Sequence, residues 1–373
     1  MRTRIAVFVS IVQSILLLAH WGVYATLAAF SRGSLVSSDG FKLAFGVLSV
    51  SFVAASFLGY RYSNVFVRVF YTLAAAWLAL LDFLVMAAAG CWIIYCADRL
   101  AGLRTSRLPI EPAWIAMALF SIALVLGICG IANAALLQVK RVTVRLPDLP
   151  EPWRGRTAVV VSDTHLGHVR GSGFARRIAT VINSLKPHIV FIVGDVFDGS
   201  AADPGELAGP LKALSAPLGS YFVTGNHEEF GDPSKYIRAM RDCGINVLDN
   251  EKRLVDGLQI AGVSYRHSTD AAHFASVLAK IEIDARRASI LLLHAPNNLP
   301  VAEQAGISLQ LSGHTHRGQL FPFTWITRRI YGSFVYGLNR LERMLVLTSS
   351  GAGTWGPPAR LGTNAEVVVI HFE

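Results

Sequence analysis

The hydrophobic rhythm of the chain changes once, near residue 140. Before that point apolar residues run almost unbroken through 5–30, 41–60, 69–96 and 113–137. Each run reaches or exceeds the roughly 20 residues that carry a helix across about 30 Å of hydrocarbon. The pattern predicts four membrane-spanning helices in a region covering 1–139. A cleavable signal peptide does not fit the first run, which is too long for a signal core and is followed by three more. Segment 140–156 reads as a first strand and a linker. Arg141 and Arg145 bracket Val-Thr-Val, and Pro147, Pro150 and Pro152 exclude helix. From 157 to 373 short buried-type runs appear at 157–162, 189–193, 221–224, 259–263, 290–293, 309–312, 344–349 and 365–372, with helical spacing over 174–185. That mixture predicts an α/β domain over 157–373.

Composition sharpens the division. Residues 1–139 hold nine Lys/Arg and four Asp/Glu, and the remaining 234 residues hold 25 and 21. Five of the net +9 charges therefore sit on the membrane half, where basic flanks serve topology and lipid headgroups. The rest is too small to argue for nucleic acid. Arg2, Arg4, Arg61, Arg68, Lys140, Arg141 and Arg145 fall on one side of the predicted spans, and Arg32, Lys42, Arg99, Arg104 and Arg107 on the other. The excess predicts that both the N-terminus and the α/β domain face the cytoplasm. Of the cysteines, Cys91, Cys96 and Cys129 lie in membrane segments and Cys243 stands alone. This is neither a disulfide framework nor a thiolate metal site, and it fits a reducing compartment.

Five polar blocks carry the chemistry: Asp163-Thr-His165, Gly194-Asp195-Val-Phe-Asp198, Gly225-Asn226-His227-Glu228, His294, and Gly313-His314-Thr-His316. They repeatedly follow the C-terminal ends of predicted strands, where α/β sheets gather ligands. The glycines at 194, 225 and 313 are expected to turn the backbone sharply. Seven side chains (Asp163, His165, Asp195, Asn226, His294, His314 and His316) supply eight contacts to two metal ions if Asp195 bridges them. Such pairs stand about 4 Å apart in phosphoester hydrolases. Imidazole, carboxylate and amide donors suit Mn²⁺ first, with Fe or Zn²⁺ as alternatives. Taken singly, each histidine is more often an ordinary core residue, and only the ordered set argues for a site. Glu228 reads as a solvated loop residue. His168, His188, His267, His273 and His371 match no block.

On these blocks the chain resembles the calcineurin-like metallophosphoesterases over about 155–373. The tail Gly351-Ala-Gly-Thr-Trp-Gly-Pro-Pro-Ala-Arg360 is similar to the membrane-associated branch of that family. The resemblance implies a two-sheet αββα sandwich, with the dimetal site at a sheet edge, following the four-helix transmembrane region. One metal ion would be held by Asp163, His165, Asp195 and His316, and the other by Asp195, Asn226, His294 and His314. His227 would protonate the leaving oxygen or steady the transferred phosphoryl group, with Asp198 orienting its ring. The implied activity is a membrane-anchored phosphohydrolase acting on a phosphoester or pyrophosphate of a lipid or lipid-linked nucleotide. UDP-2,3-diacylglucosamine pyrophosphohydrolase of lipid A synthesis is one candidate, placed in a bacterial inner membrane with the catalytic domain on the cytoplasmic face. The alternative is a phosphodiesterase for a soluble nucleotide, with the helices only an anchor. A sensor that kept the fold without the chemistry is disfavoured because no ligand position is degenerate.

Two further features stand outside the blocks. Asp82 and His20 lie inside membrane runs, where an ionisable group points to function, although the two could instead pair with each other. In 321–340, Phe321, Phe323, Trp325, Tyr331, Phe334 and Tyr336 interleave with Arg328 and Arg329. This composition suits a bilayer boundary, ahead of an ordinary packed insertion or a single-strand nucleic-acid reader.

Overall fold

The computed structural model describes residues 2–30, 34–102 and 111–373. Arg32, Arg104 and Arg107, which enter the charge-bias reading, lie outside the described residues.

The N-terminal unit contains helices α1 (Arg2–Phe30), α2 (Ser34–Ser37), α3 (Asp39–Arg61), α4 (Val65–Gly102) and α5 (Pro112–Ala134). Within them Ala6–Phe30, Asp39–Arg61, Val65–Leu100 and Pro112–Ala134 are long and apolar enough to cross a membrane. Their outward residues, among them Phe8, Leu18, Trp21, Phe66 and Ile93, are exposed hydrophobics, as lipid requires and water does not. Several polar side chains inside the bundle find local partners. Trp92 Nε1 donates to Thr26 Oγ1 at 2.9 Å. The suggested Asp82–His20 pair does not form. His20 engages Leu16 O at 2.7 Å through Nδ1 and receives Trp77 Nε1 at 2.9 Å on Nε2, so both ring nitrogens are taken. Asp82 Oδ2 is buried with no hydrogen-bond partner among the described residues.

The second unit is a four-layer sandwich. One sheet has the order β1-β12-β2-β3-β4-β5 and the other β10-β11-β9-β8-β7-β6. The first contains β1 (Leu137–Val144), β2 (Thr157–Val161), β3 (Ile189–Val193), β4 (Ser220–Val223), β5 (Asn246–Val247) and β12 (Ala365–Phe372). The second contains β6 (Glu251–Val255), β7 (Leu258–Gly262), β8 (Ser289–Leu292), β9 (Leu309–Ser312), β10 (Gly337–Leu341) and β11 (Met344–Thr348). Strands β2 to β5 are parallel, as are β7, β8, β9 and β11; β12 runs antiparallel to β2.

Alternation along each strand explains the layering. Val160, Phe191, Val193, Ile260, Ile290, Leu292, Leu311 and Leu347 fill the space between the sheets. Val159, Val161, Val190, Ile192 and Phe222 face outward onto α6 (Ser172–Ser184), α7 (Pro204–Ala208) and α8 (Ser234–Asp242). On the other side Ala261, Leu291, Leu293 and Val346 pack on α9 (Ala271–Ile281) and α10 (Leu299–Gln304). Burial on both faces is why these strands read as continuous apolar runs. The predicted boundary at 139 moves: the fourth helix stops at Ala134 and β1 begins at Leu137. Leu137 and Val139, both half-buried, pack against the core of the α/β domain rather than continuing the apolar helix.

A candidate dimetal centre

The seven predicted ligand residues converge from both sheets. β2 delivers Asp163 and His165, β3 delivers Asp195, and β4 delivers Asn226. From the other sheet β8 supplies His294 and β9 supplies His314 and His316. Five of the seven, Asp163, His165, Asp195, His314 and His316, have positive φ between 46° and 69°. Side chains other than glycine avoid that region at a cost of about 1–3 kcal/mol per residue, so the surroundings must hold them there. They do so with hydrogen bonds. Asp163 N donates to Gly194 O at 3.1 Å, His165 N to Asp195 O at 3.1 Å, and Gly353 N to Asp163 O at 2.7 Å. His314 N donates to Asp163 Oδ1 at 3.0 Å.

Asp195 is at the centre. Its Oδ2 lies 3.1 Å from His294 Nε2 and 3.8 Å from His165 Nε2, while its Oδ1 accepts His227 N at 2.9 Å. His165 Nε2 is 3.0 Å from His316 Nε2, which is 3.5 Å from Asp163 Oδ1. On the other side His314 Nδ1 is 3.2 Å from His294 Nε2. Ligand atoms within 4.8 Å of one another thus form the groups Asp163–His165–His316 and Asp195–His294–His314, and a third, His165–Asp195–His227, lies next to them.

Electrostatics favour cations in this space. Burial holds His165 and His316 well below the ordinary histidine range, and burial with His294 nearby lowers His314 to about 4. These rings are neutral, the form in which an imidazole ligates a metal. At His294 burial opposes the charged form, but Asp195 and Asp163 outweigh it and raise the ring to about 10. Two buried carboxylates demand positive charge between them, which a divalent ion satisfies as a proton does. Asn226 Oδ1 is buried with no hydrogen-bond partner among the described residues, and an acceptor left so is costly unless a cation takes it. His294 Nδ1 is 2.9 Å from Val193 O, which fixes that proton and leaves Nε2 as the nitrogen that faces Asp195. The donors fit two divalent ions with Asp195 shared.

The contact expected from Asp198 is made differently. His227 Nδ1 lies 3.0 Å from the backbone carbonyl of Asp198, and the carboxylate instead accepts Ser200 N at 2.8 Å and His168 N at 3.2 Å. Asp198 therefore caps its own turn, and its main chain orients the ring. Glu228 is not solvated. It is fully buried and accepts Gly225 N at 2.7 Å and both Asp195 N and Phe197 N at 2.9 Å. Burial and the adjacent Asp195 push its carboxyl up to about 8, against the pull of those N–H groups.

The glycines act mainly by size. Among Gly194, Gly225 and Gly313, Gly194 alone has positive φ, at 76°, and a Cβ there would lie 2.6 Å from His294 Nδ1. At Gly225 a Cβ would come within 2.2 Å of Asp195 Oδ1, and at Gly313 within 2.2 Å of Asp163 Oδ2. Gly194→Ala is expected to cost on the order of 1–3 kcal/mol in backbone strain alone and to displace His294. A thermal midpoint and metal content equal to wild type would contradict this.

Two supporting residues had no role in the sequence pattern. Arg360 is fully buried, and burial lowers its guanidinium to about 10. It donates to Ser350 O at 2.6 Å, Gly353 O at 2.7 Å and His316 O at 3.3 Å, tying the tail to a ligand loop. Glu229 accepts Thr224 Oγ1, Tyr265 N at 3.1 Å and Arg266 N at 2.7 Å. The only sequence signals were an arginine in a glycine- and proline-rich tail and a doubled glutamate after Asn-His.

Comparison with known proteins agrees with this geometry. Residues 156–318 match the model of the calcineurin-like phosphoesterases. A metallophosphoesterase of Campylobacter jejuni is 32% identical over 63% of this chain and 63% of its own length. A transmembrane protein with metallophosphoesterase domain from Danio rerio is 35% identical over 67% of this chain and 60% of its own. The protein of the same description from Bos taurus is 30% identical over 86% of this chain and 80% of its own. The chain thus spans less than two thirds of the first two relatives and four fifths of the third. It belongs to the calcineurin-like metallophosphoesterase family.

Proposed function

We propose that the chain is a membrane-anchored dimetal phosphohydrolase that cleaves a phosphoester or pyrophosphate bond of a lipid or lipid-linked nucleotide at the cytoplasmic face of its membrane. The observation that carries the hydrolytic part is the position of Asp195, whose one carboxylate oxygen lies between His294 and His165 while its backbone locks both neighbouring loops. Asp163, His165, Asp195 and His316 would hold one ion, and Asp195, Asn226, His294 and His314 the other. Mn²⁺ is the first choice and Fe or Zn²⁺ the alternatives for this donor mixture. When bound, such a pair supplies Lewis acidity toward phosphate oxygens and an activated water.

His227 does the remaining proton work. Its Nδ1–H is held by the Asp198 carbonyl, so the ring acts as imidazolium: Nε2–H gives its proton to the departing oxygen, and the neutral ring left behind takes another from solvent. His227→Ala is expected to lower kcat by about 100-fold or more with metal content unchanged. An emptied site in that variant would make His227 a ligand instead, as its place in the third donor group allows.

The lipid part rests on the four helices able to cross a membrane. A second reading, a soluble nucleotide as substrate, is favoured by one observation. Phe230 and Trp355 are 70% and 57% exposed and flank His227, with ring centroids 4.6 Å and 6.2 Å away. Flat exposed rings beside a phosphate site suit base stacking as well as acyl contact. The deciding assay is phosphate or nucleotide release by purified full-length protein with Mn²⁺ on UDP-2,3-diacylglucosamine, common phospholipids, soluble nucleotides and an aryl phosphodiester. Turnover of a lipid supports the first reading, and turnover of soluble nucleotides alone replaces it with the second.

A further inference from the structure

Helix α11 (Phe323–Tyr331) carries its apolar residues on the wrong side for packing on a protein core. Its half-buried stripe is Thr324, Thr327 and Tyr331, and none of its residues is buried. The opposite face presents Phe323, Trp325, Ile326 and Ile330, which are 40% to 67% exposed, and Phe321 just ahead of the helix is 57% exposed. An ordinary amphipathic surface helix has the reverse arrangement. Arg328 and Arg329 lie on the same outer side, and the Arg329 guanidinium stands 5.0 Å from the Trp325 ring centroid. Residues 317–341 contain four arginines and no acidic residue.

The helix is also a wall of the candidate centre. Gly318, two residues after His316, lies so close beneath it that a Cβ would come within 2.4 Å of the Phe323 and Thr324 backbone. The Tyr331 ring centroid is 6.3 Å from that of His314.

We infer that α11 is an interfacial membrane-binding element that seats the catalytic domain on a bilayer beside its metal centre. Phe321, Phe323, Trp325, Ile326 and Ile330 enter the boundary between headgroups and acyl chains, and Arg328 and Arg329 meet lipid phosphates. A bilayer is the occupant that fits both properties of the face. Exposed Trp and Phe with arginines and no acid match an anionic, half-apolar interface. The same chain also carries four helices able to cross a membrane, which keeps a bilayer at hand. The inference rests on the reading of this site as a phosphoesterase for lipid phosphates, and it gives α11 the task of bringing the headgroup to the metals.

The test uses full-length protein in nanodiscs of phosphatidylcholine, with and without phosphatidylglycerol, in which the acyl chains are brominated near the headgroup. The difference in fluorescence between wild type and Trp325→Phe isolates Trp325. Its emission is expected to be blue-shifted, largely quenched by the brominated lipid and shielded from aqueous iodide. Arg328→Gln/Arg329→Gln is expected to weaken the quenching, most in discs with phosphatidylglycerol. Ile330→Trp in the Trp325→Phe background moves the reporter along the exposed side and should read the same. Iodide quenching without lipid quenching overturns the inference. Shielding from both quenchers also overturns it, since a protein partner or second copy then covers the face. Aryl phosphodiester turnover by the same discs separates the two readings. Lipid quenching without turnover keeps the docking and removes the hydrolase, and turnover without lipid quenching does the reverse.

Discussion

Asp195→Asn is expected to lower kcat/KM on an aryl phosphodiester at least about a thousandfold, roughly 4 kcal/mol of transition-state stabilisation, and to lower metal content with it. The carboxylate has two tasks that one amide cannot share. Oδ1 accepts His227 N and Oδ2 faces His294 and His165. With Asn, either the His227 loop loses its acceptor or an NH₂ group faces the rings, and in both cases the negative charge between the two donor groups is gone. The framework should survive. Asn tolerates the left-handed backbone at φ 50°, and the bonds through Asp195 N and O remain. Steady-state rates with Mn²⁺, metal analysis and a thermal melt separate the effects. Activity within tenfold of wild type, with both metals retained, would refute the bridging role.

Glu228→Ala is expected to act on folding. The carboxylate is the acceptor for three buried N–H groups from two ligand loops, those of Asp195, Phe197 and Gly225. Each orphaned donor costs about 1–3 kcal/mol. Together they reach about 3–9 kcal/mol, a large part of the 5–15 kcal/mol typical of a whole domain. The variant should accumulate poorly and lose both metals. Glu228→Gln, which keeps an acceptor oxygen of the same reach, should recover part of the yield. Membrane yield and thermal midpoint give the answer, and an Ala variant as stable as wild type would show that solvent satisfies those donors.

The convergence of the seven candidate residues was legible because each block stands at the end of a strand buried on both faces, and such strands are continuous apolar runs. The remaining strands failed for identifiable reasons. β5 has two residues, Asn246 and Val247, too few for any period. β6 and β10 are sheet edges, so Glu251, Lys252 and Arg253 in one and Asn339 and Arg340 in the other break the apolar pattern. Glu228 looks solvated, as a glutamate beside a loop motif does, until N–H groups of two loops are seen to converge on it. Asp198 was misread in a finer way: the position matters, but through its carbonyl. Gly225 and Gly313 were expected as turns, whereas what they supply is room for Asp195 and Asp163. Close approach between distant segments leaves no local trace in a sequence.

The place of β12 in its sheet sets a timetable for biosynthesis. β12 follows every other strand in the chain, yet it is inserted between β1 and β2. β1 begins three residues after the end of the fourth long helix, at Leu137, and pairs over its whole length with Ala365–Phe372. A ribosome therefore delivers the membrane helices and eleven strands before the partner that joins the first two can exist. During that interval β1 and one side of β2 are open edges, the kind that invite wrong pairing. Asp163, two residues beyond β2, cannot be fixed until the gap closes. Until β12 is made, the first sheet is split between β1 and β2. A message cut short before codon 365 should yield an inserted chain for the cell's proteases, with no partial enzyme.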